Sequence, residues 1–136
     1  MRRVFVDTGA FYALIDSDDQ HHYRARDLFD RAEGEKWRLV STNAVVFETH
    51  ALLVNRFRSR REVALAFLDS VSTDPYQVVR ALRSDEEKAI AIVRAHRDKF
   101  YSLCDALSFV VMERLRVHEA ISFDQDFRSF GRFAIL

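Results

Sequence analysis

The chain has 136 residues, 49% of them hydrophobic, with twelve Phe, three Gly, one Pro and a formal net charge of zero. That length suits one domain, expected over residues 1–136, and the composition excludes collagenous, linker-rich or disordered character. Zero net charge removes bulk basicity as a reason to bind nucleic acid, so any such binding must be local.

In chain order, short β-rich runs alternate with longer helical patterns. Strands are expected at Arg3–Asp7, Arg38–Ser41, Gln77–Ala81, Glu119–Ser122 and Arg132–Ile135, with helices near Ala10–Ile15, His21–Glu33, Asn43–Arg56, Arg60–Val71, Asp85–His96 and Leu103–Arg116. Ser59, Ser84 and Ser102 each precede an acid by three residues, the spacing of a capping box. Val63, Ala64, Phe67, Leu68 and Val71 share one helical face, which serves either the core or a dimer. Strands separated by helices imply right-handed parallel crossovers. The expected architecture is a three-layer α/β/α sandwich around a mainly parallel five-stranded sheet. Met-Arg-Arg leads directly into a short strand, with neither a signal peptide nor a membrane span. The lone Cys104 forms no internal disulfide, which fits a reducing cytoplasm.

Four acids interrupt apolar runs: Asp7 after Val4-Phe5-Val6, Glu48 between Val45-Val46-Phe47 and Ala51-Leu52-Leu53, Asp105 after Leu103-Cys104, and Asp124 after Ile121-Ser122-Phe123. Buried acids are rare unless paired or bound to a cation. Two carboxylates about 4 Å apart repel by roughly 4 kcal/mol at an effective dielectric near 20, and a divalent ion reverses that sign. In an open parallel sheet the ligand crevice lies beyond the carboxyl ends of the strands, where strand order reverses. Asp7 and Asp124 end strands there, and Glu48 and Asp105 sit in the opening turns of helices that start on the same rim. The helical neighbours of Glu48 are Ala44, Val45, Ala51 and Leu52, which points to a buried face. Each acid also has a plainer reading: Asp105 completing a capping box, Asp7 capping a short helix, Asp124 opening a turn, Glu48 as a satisfied buried acid.

Asp126 is a candidate fifth acid, reaching a metal through water, or else a solvated turn residue. Thr8, Asn43 and Ser122 adjoin the acids and either orient them or do ordinary capping. His21 and His22 stand alone, without ligand spacing to a second His or Cys, and read as packing or capping residues. Cys104 lacks a His partner and fits a small buried hydrophobe. Arg56, Arg58, Arg60 and Arg61 form the densest positive cluster, suited to RNA, to an acidic protein partner or to a solvated face. A phosphatase of the haloacid-dehalogenase type needs a second acid two residues beyond Asp7, where this chain has Gly9.

The segments F-V-D-T-G-A-F-Y-A-L, D-Q-H-H-Y-R-A, T-N-A-V-V-F-E, S-L-C-D-A-L-S-F-V-V-M and I-S-F-D-Q-D-F, in this order, resemble PIN-domain ribonucleases, above all the VapC toxins of toxin–antitoxin pairs. The resemblance places the acidic site at Asp7, Glu48, Asp105 and Asp124, with Asp126 as a further acid and Thr8 as the polar residue after the first. Ser122 stands where the family usually has Thr. It implies an endoribonuclease dependent on Mg²⁺ or Mn²⁺, a homodimer, and inhibition by a small antitoxin protein. A PIN-like module that binds RNA or protein without cutting, and a nuclease of RNA maturation, are the alternatives.

Overall fold

The computed structural model describes residues 1–136. The elements run β1 Arg3–Val6, α1 Thr8–Ile15, α2 His22–Gly34, β2 Arg38–Thr42, α3 Asn43–Arg56, α4 Arg61–Val71, β3 Tyr76–Val79, α5 Arg83–Ala95, α6 Leu103–Leu115, β4 Glu119–Ile121, α7 Gln125–Phe130 and β5 Ala134–Ile135. All five strands are parallel, in the order β3-β2-β1-β4-β5. Successive strands move one way from β1 to β3, and the chain then returns to β4. Right-handed crossovers therefore put α1–α4 on one face and α5–α7 on the other. The sandwich expected from the sequence is the observed fold.

β1 is central because it can be nothing else. Val4, Phe5 and Val6 are wholly buried, as a strand covered by helices on both faces requires. Strand order reverses between β1 and β4, and the Asp7 N–H continues that ladder to the Ile121 carbonyl at 3.2 Å. On the α5–α7 side an aromatic stack fixes the helices. Phe109 of α6 lies edge-on to Phe127 at 4.9 Å between ring centroids and stacks on Phe130 at 4.2 Å. Phe127 in turn stacks on Phe5 of the sheet.

The structure differs from the sequence expectations in particular places. α7 occupies residues expected to form only a turn, because Asp124 caps it: Asp124 Oδ1 accepts the Asp126 N–H at 2.9 Å. Of the three Ser-x-x-acid signals only Ser102 caps a helix, accepting the Asp105 N–H at 3.0 Å. α4 starts from Arg60 without a side-chain cap, so Ser59 does not cap it. α5 starts two residues earlier than Ser84 would set, and Asp85 accepts the Leu82 N–H instead. The stripe on α4 belongs to the core, where Ala64, Phe67 and Val71 are buried.

Phe109→Ala would remove the ring of α6 that packs on Phe127 and Phe130 of α7 and on Phe133 just before β5. We expect it to cost about 4 kcal/mol in urea unfolding, with the m-value unchanged. A loss below about 1 kcal/mol would mean the stack is not cooperative packing.

Candidate metal centre

Three acids meet at the reversal of strand order. Ligand oxygens of Asp7, Asp105 and Asp124 all lie within 4.8 Å of one another. Each arrives by a different route: Asp7 leaves the end of β1, Asp105 sits in the first turn of α6, and Asp124 caps α7 after β4. Asp7 is only 3% exposed, and its side chain makes no cap hydrogen bond to α1. Asp7 stands at the N-cap position of α1 without spending its side chain on a cap. Asp105 and Asp124 are partly buried.

Ser122, fully buried, ties two of the three acids together. Its hydroxyl donates to Asp7 Oδ2 at 3.1 Å and accepts the Asp124 N–H at 3.1 Å. Thr8, next to Asp7, is buried with Oγ1 lacking any hydrogen-bond partner. A buried hydroxyl left without a partner next to an acidic cluster fits a site that takes up an ion and its waters. Asn43 spends its side-chain oxygen on the Ala81 N–H at 3.1 Å, tying α3 to the segment after β3.

The chain carries its own control for the meaning of a buried acid. Asp16 (5% exposed) is met by Arg56, and Asp85 (1% exposed) by a bidentate Arg114. Against burial, the Tyr12 hydroxyl, the Asp18 N–H and Arg56 hold the Asp16 carboxyl below the usual range, and Arg114 with the Leu82 N–H does the same for Asp85. Asp7, as deeply buried, has no cation: no ion pair of the structure includes Asp7, Glu48, Asp105, Asp124 or Asp126. Burial first, and then the Asp105 charge, push Asp7 up to about 7, against the pull of the Thr8 N–H and Ser122. Burial and then Asp124 push Asp105 up to about 6. Asp126, half-buried, is raised by burial and by Asp124, and the one cation that eases it is Lys99. Oxygen donors alone, free of imidazole or thiolate, suit a hard divalent cation.

Glu48 corrects a sequence expectation. It is exposed, outside the 4.8 Å group, and its apolar neighbours Ala51 and Leu52 face solvent with it. The apolar pattern around Glu48 marks an uncovered face, because α3 packs on the sheet through Val45, Val46, Thr49 and Leu53. Glu48 still stands on the same rim, close enough for its charge to act on Cys104. That thiol, chiefly through burial, is pushed up to about 12 and stays protonated. His22 bonds the Ala13 carbonyl through Nδ1 at 2.8 Å, and His21 stacks on Phe123, centroids 4.5 Å apart.

The arginine cluster lies elsewhere. Arg56 is about 12 Å further along α3 than Glu48, away from the rim. It holds Asp16 and Asp18 as a structural partner, while Arg58 bonds Asn55 and Arg60 pairs with Glu62. With Arg61, Arg58 lines a cavity between α3 and α4 that also exposes Val54 and Leu65. Lys99, in the short exposed stretch Arg97 to Lys99 before α6, is the cation whose charge eases Asp126.

Comparison with known proteins agrees with this geometry. The family model for the PIN domain matches residues 4–132. The 23S rRNA-specific endonuclease VapC20 of Mycobacterium tuberculosis is 33% identical over 128 residues, 94% of each chain. The crystal structure of VapC20, a sarcin–ricin loop cleaving toxin, superposes with a TM-score of 0.83 at 29% identity over 95% of each chain. A Rickettsia felis VapBC2 structure has the same fold at a TM-score of 0.69 and 9% identity, covering 98% of this chain and 97% of that one.

A pH prediction follows from the acids. Asp7 and Asp105 are raised in the folded state, so between about pH 4 and 7 the native protein binds more protons than the unfolded chain. Without metal, Tm should fall as pH rises from 5 to 8. Asp7→Asn should flatten that fall, and its metal-free Tm at pH 8 should exceed the parent's. A parent Tm that rises over this range would show that the acids are stabilised by something other than a cation.

Proposed function

Because the chain belongs to the PIN-domain family, among its VapC-type members, we propose that it is a metal-dependent endoribonuclease acting as the toxin of a toxin–antitoxin pair. The observation that carries the mechanism is the contrast among buried acids: Asp16 and Asp85 have arginines, and the Asp7 cluster has none. Residues 1–136 would form one PIN domain.

Asp7, Asp105 and Asp124 would hold one or two Mg²⁺ or Mn²⁺ ions, with Glu48 and Asp126 contributing from the rim through water. Such an ion lowers the pKa of a bound water and offsets charge gathering on phosphate. The chain's own residues supply the order. The Ser122 hydroxyl fixes the Asp7 carboxylate and the Asp124 backbone at once, and Ser102 anchors the turn bearing Asp105. The raised carboxyls of Asp7 and Asp105 must lose protons to bind metal, so affinity grows with pH through the range near 6 and 7. Water attack in line on phosphorus leaves a 5′-phosphate and a 3′-hydroxyl.

The specificity of VapC20 makes structured loops of 23S rRNA the first substrates to assay. A cognate antitoxin and a second copy of the chain are the expected partners. α3 presents an uncovered apolar face for such contacts, with Phe47 67% exposed and Leu52 and Val54 also exposed. Arg58 and Arg61, remote from the acids, suit a protein partner better than the cleaved strand. No helix is long and apolar enough to cross a membrane. We place the protein in the cytoplasm, where the free Cys104 is compatible with a reducing environment.

In an RNA-cleavage assay with Mg²⁺ or Mn²⁺, EDTA, Asp7→Asn and Asp105→Asn should each abolish activity. Products should carry 5′-phosphates. Undiminished cleavage in EDTA, or 2′,3′-cyclic phosphate ends, would refute the metal mechanism. Ser122→Ala should lower metal affinity or activity about 10- to 100-fold. Ser122→Thr should restore it, since the hydroxyl and not the side-chain size does the orienting.

A further inference from the structure

The segment joining α5 to α6, residues 96–102, faces solvent at the edge of the acidic centre. Its exposed residues are Arg97, Asp98, Lys99, Phe100 and Ser102. Phe100 is 95% exposed, an unusual place for a phenyl ring in a chain with a well-filled aromatic core. The neighbouring Tyr101 does the opposite. It is buried, with its ring edge-on to Phe109 at 5.4 Å and to Phe130 at 5.9 Å, and its hydroxyl lies 3.5 Å from Ser129 Oγ. Phe130 and Ser129 belong to α7, the helix that carries Asp126. The segment is thus anchored to the site's own helix at Tyr101 and capped onto α6 at Ser102, three residues before Asp105.

Anchoring on both sides fixes where the outward residues stand. Phe100 is two residues from Ser102, so its Cα lies within about 8 Å of the α6 cap. Lys99, whose N–H is held by the His96 carbonyl at 3.0 Å, stands three residues before the Ser102 cap of α6 and six before Asp105. Neither Lys99 nor Arg97 belongs to an ion pair. Arg2, Arg31, Arg38, Arg56, Arg114 and Arg132 bind carboxylates, whereas Lys99 and Arg97 are among the cations that do not.

We propose that the 96–102 segment is the substrate-positioning element, on which an unpaired base next to the cleaved phosphodiester stacks against Phe100 while Lys99 holds an adjacent phosphate. An acidic pocket repels a polyanion, so the strand needs a nearby cation and a neutral anchor that acts without charge. A flat aromatic face supplies the second, since every base offers a π-surface, and unpaired nucleotides are what proteins read in RNA. The inference rests on the endoribonuclease reading above.

Three readouts test it in the full-length protein. Phe100→Ala and Phe100→Leu should raise KM for an RNA substrate about tenfold with kcat little changed, whereas Phe100→Trp should restore the parent KM. Lys99→Ala should raise KM and lessen its dependence on salt by about one counterion. In EDTA, the Phe100→Trp protein should show fluorescence quenching by a single-stranded RNA oligonucleotide and none by polyphosphate. Phe100 is so exposed that these changes leave folding intact. Unchanged KM in Phe100→Ala, or equal quenching by polyphosphate, would overturn the proposal. So would a change confined to the molar mass by light scattering, which would assign Phe100 to a protein interface. A parent that binds RNA in this way yet never cuts it would instead sink the nuclease reading and leave this one standing.

Discussion

Mutual repulsion among Asp7, Asp105 and Asp124 governs much of what is distinctive in this structure. Three oxygens within 4.8 Å of one another are a standing cost in the absence of a cation, and the fold holds them there. It does so with rigid pieces: the end of a fully buried central strand, the capped first turn of α6, and the cap of α7. Most of the cost falls on Asp7, which is the deepest of the three. The same fold neutralises Asp16 and Asp85 with arginines, so it is able to pair buried acids and leaves this one free. Such a difference within one chain is a stronger sign of purpose than acidity alone.

Ser122 is the small residue on which the cluster's order turns. One hydroxyl serves both as donor to Asp7 and as acceptor for the Asp124 backbone, joining β1 to the turn after β4. The arrangement uses up both capacities of the hydroxyl within the protein. It leaves the outward oxygens of the acids for an ion and water. Thr8, next to Asp7 in the chain, keeps a buried hydroxyl without a partner, in contrast to the fully used hydroxyl of Ser122.

Legibility in the sequence followed physical range. The strands and long helices were readable because burial on both faces writes continuous apolar runs and helices write a 3.6-residue period. Asp7, Asp105 and Asp124 were readable because each breaks such a run at the rim of a parallel sheet. Glu48 misled: an apolar helical face looks the same whether it meets the core or lies uncovered, and only packing tells them apart. Ser59 and Ser84 misled for a related reason, since the capping spacing is necessary for a box without being sufficient. α7 escaped notice because six residues carry too little periodicity, and its start depends on Asp124 acting as cap as well as site residue. The pairing of Arg56 with Asp16 spans 40 positions, which no local pattern reports.

The Ser122–Asp7 bond joins residues 115 positions apart, and Asp124 follows β4 near the carboxyl end. The pocket therefore has no local precursor that a growing chain could assemble early. A ribosome-bound intermediate would carry Asp7 and Asp105 on finished elements and still lack the third wall. The acids can meet only after β4 has joined β1, because the bond that orders them crosses that pairing. The geometry of the pocket is thus a property of the assembled sheet, and no single segment of the chain carries it alone.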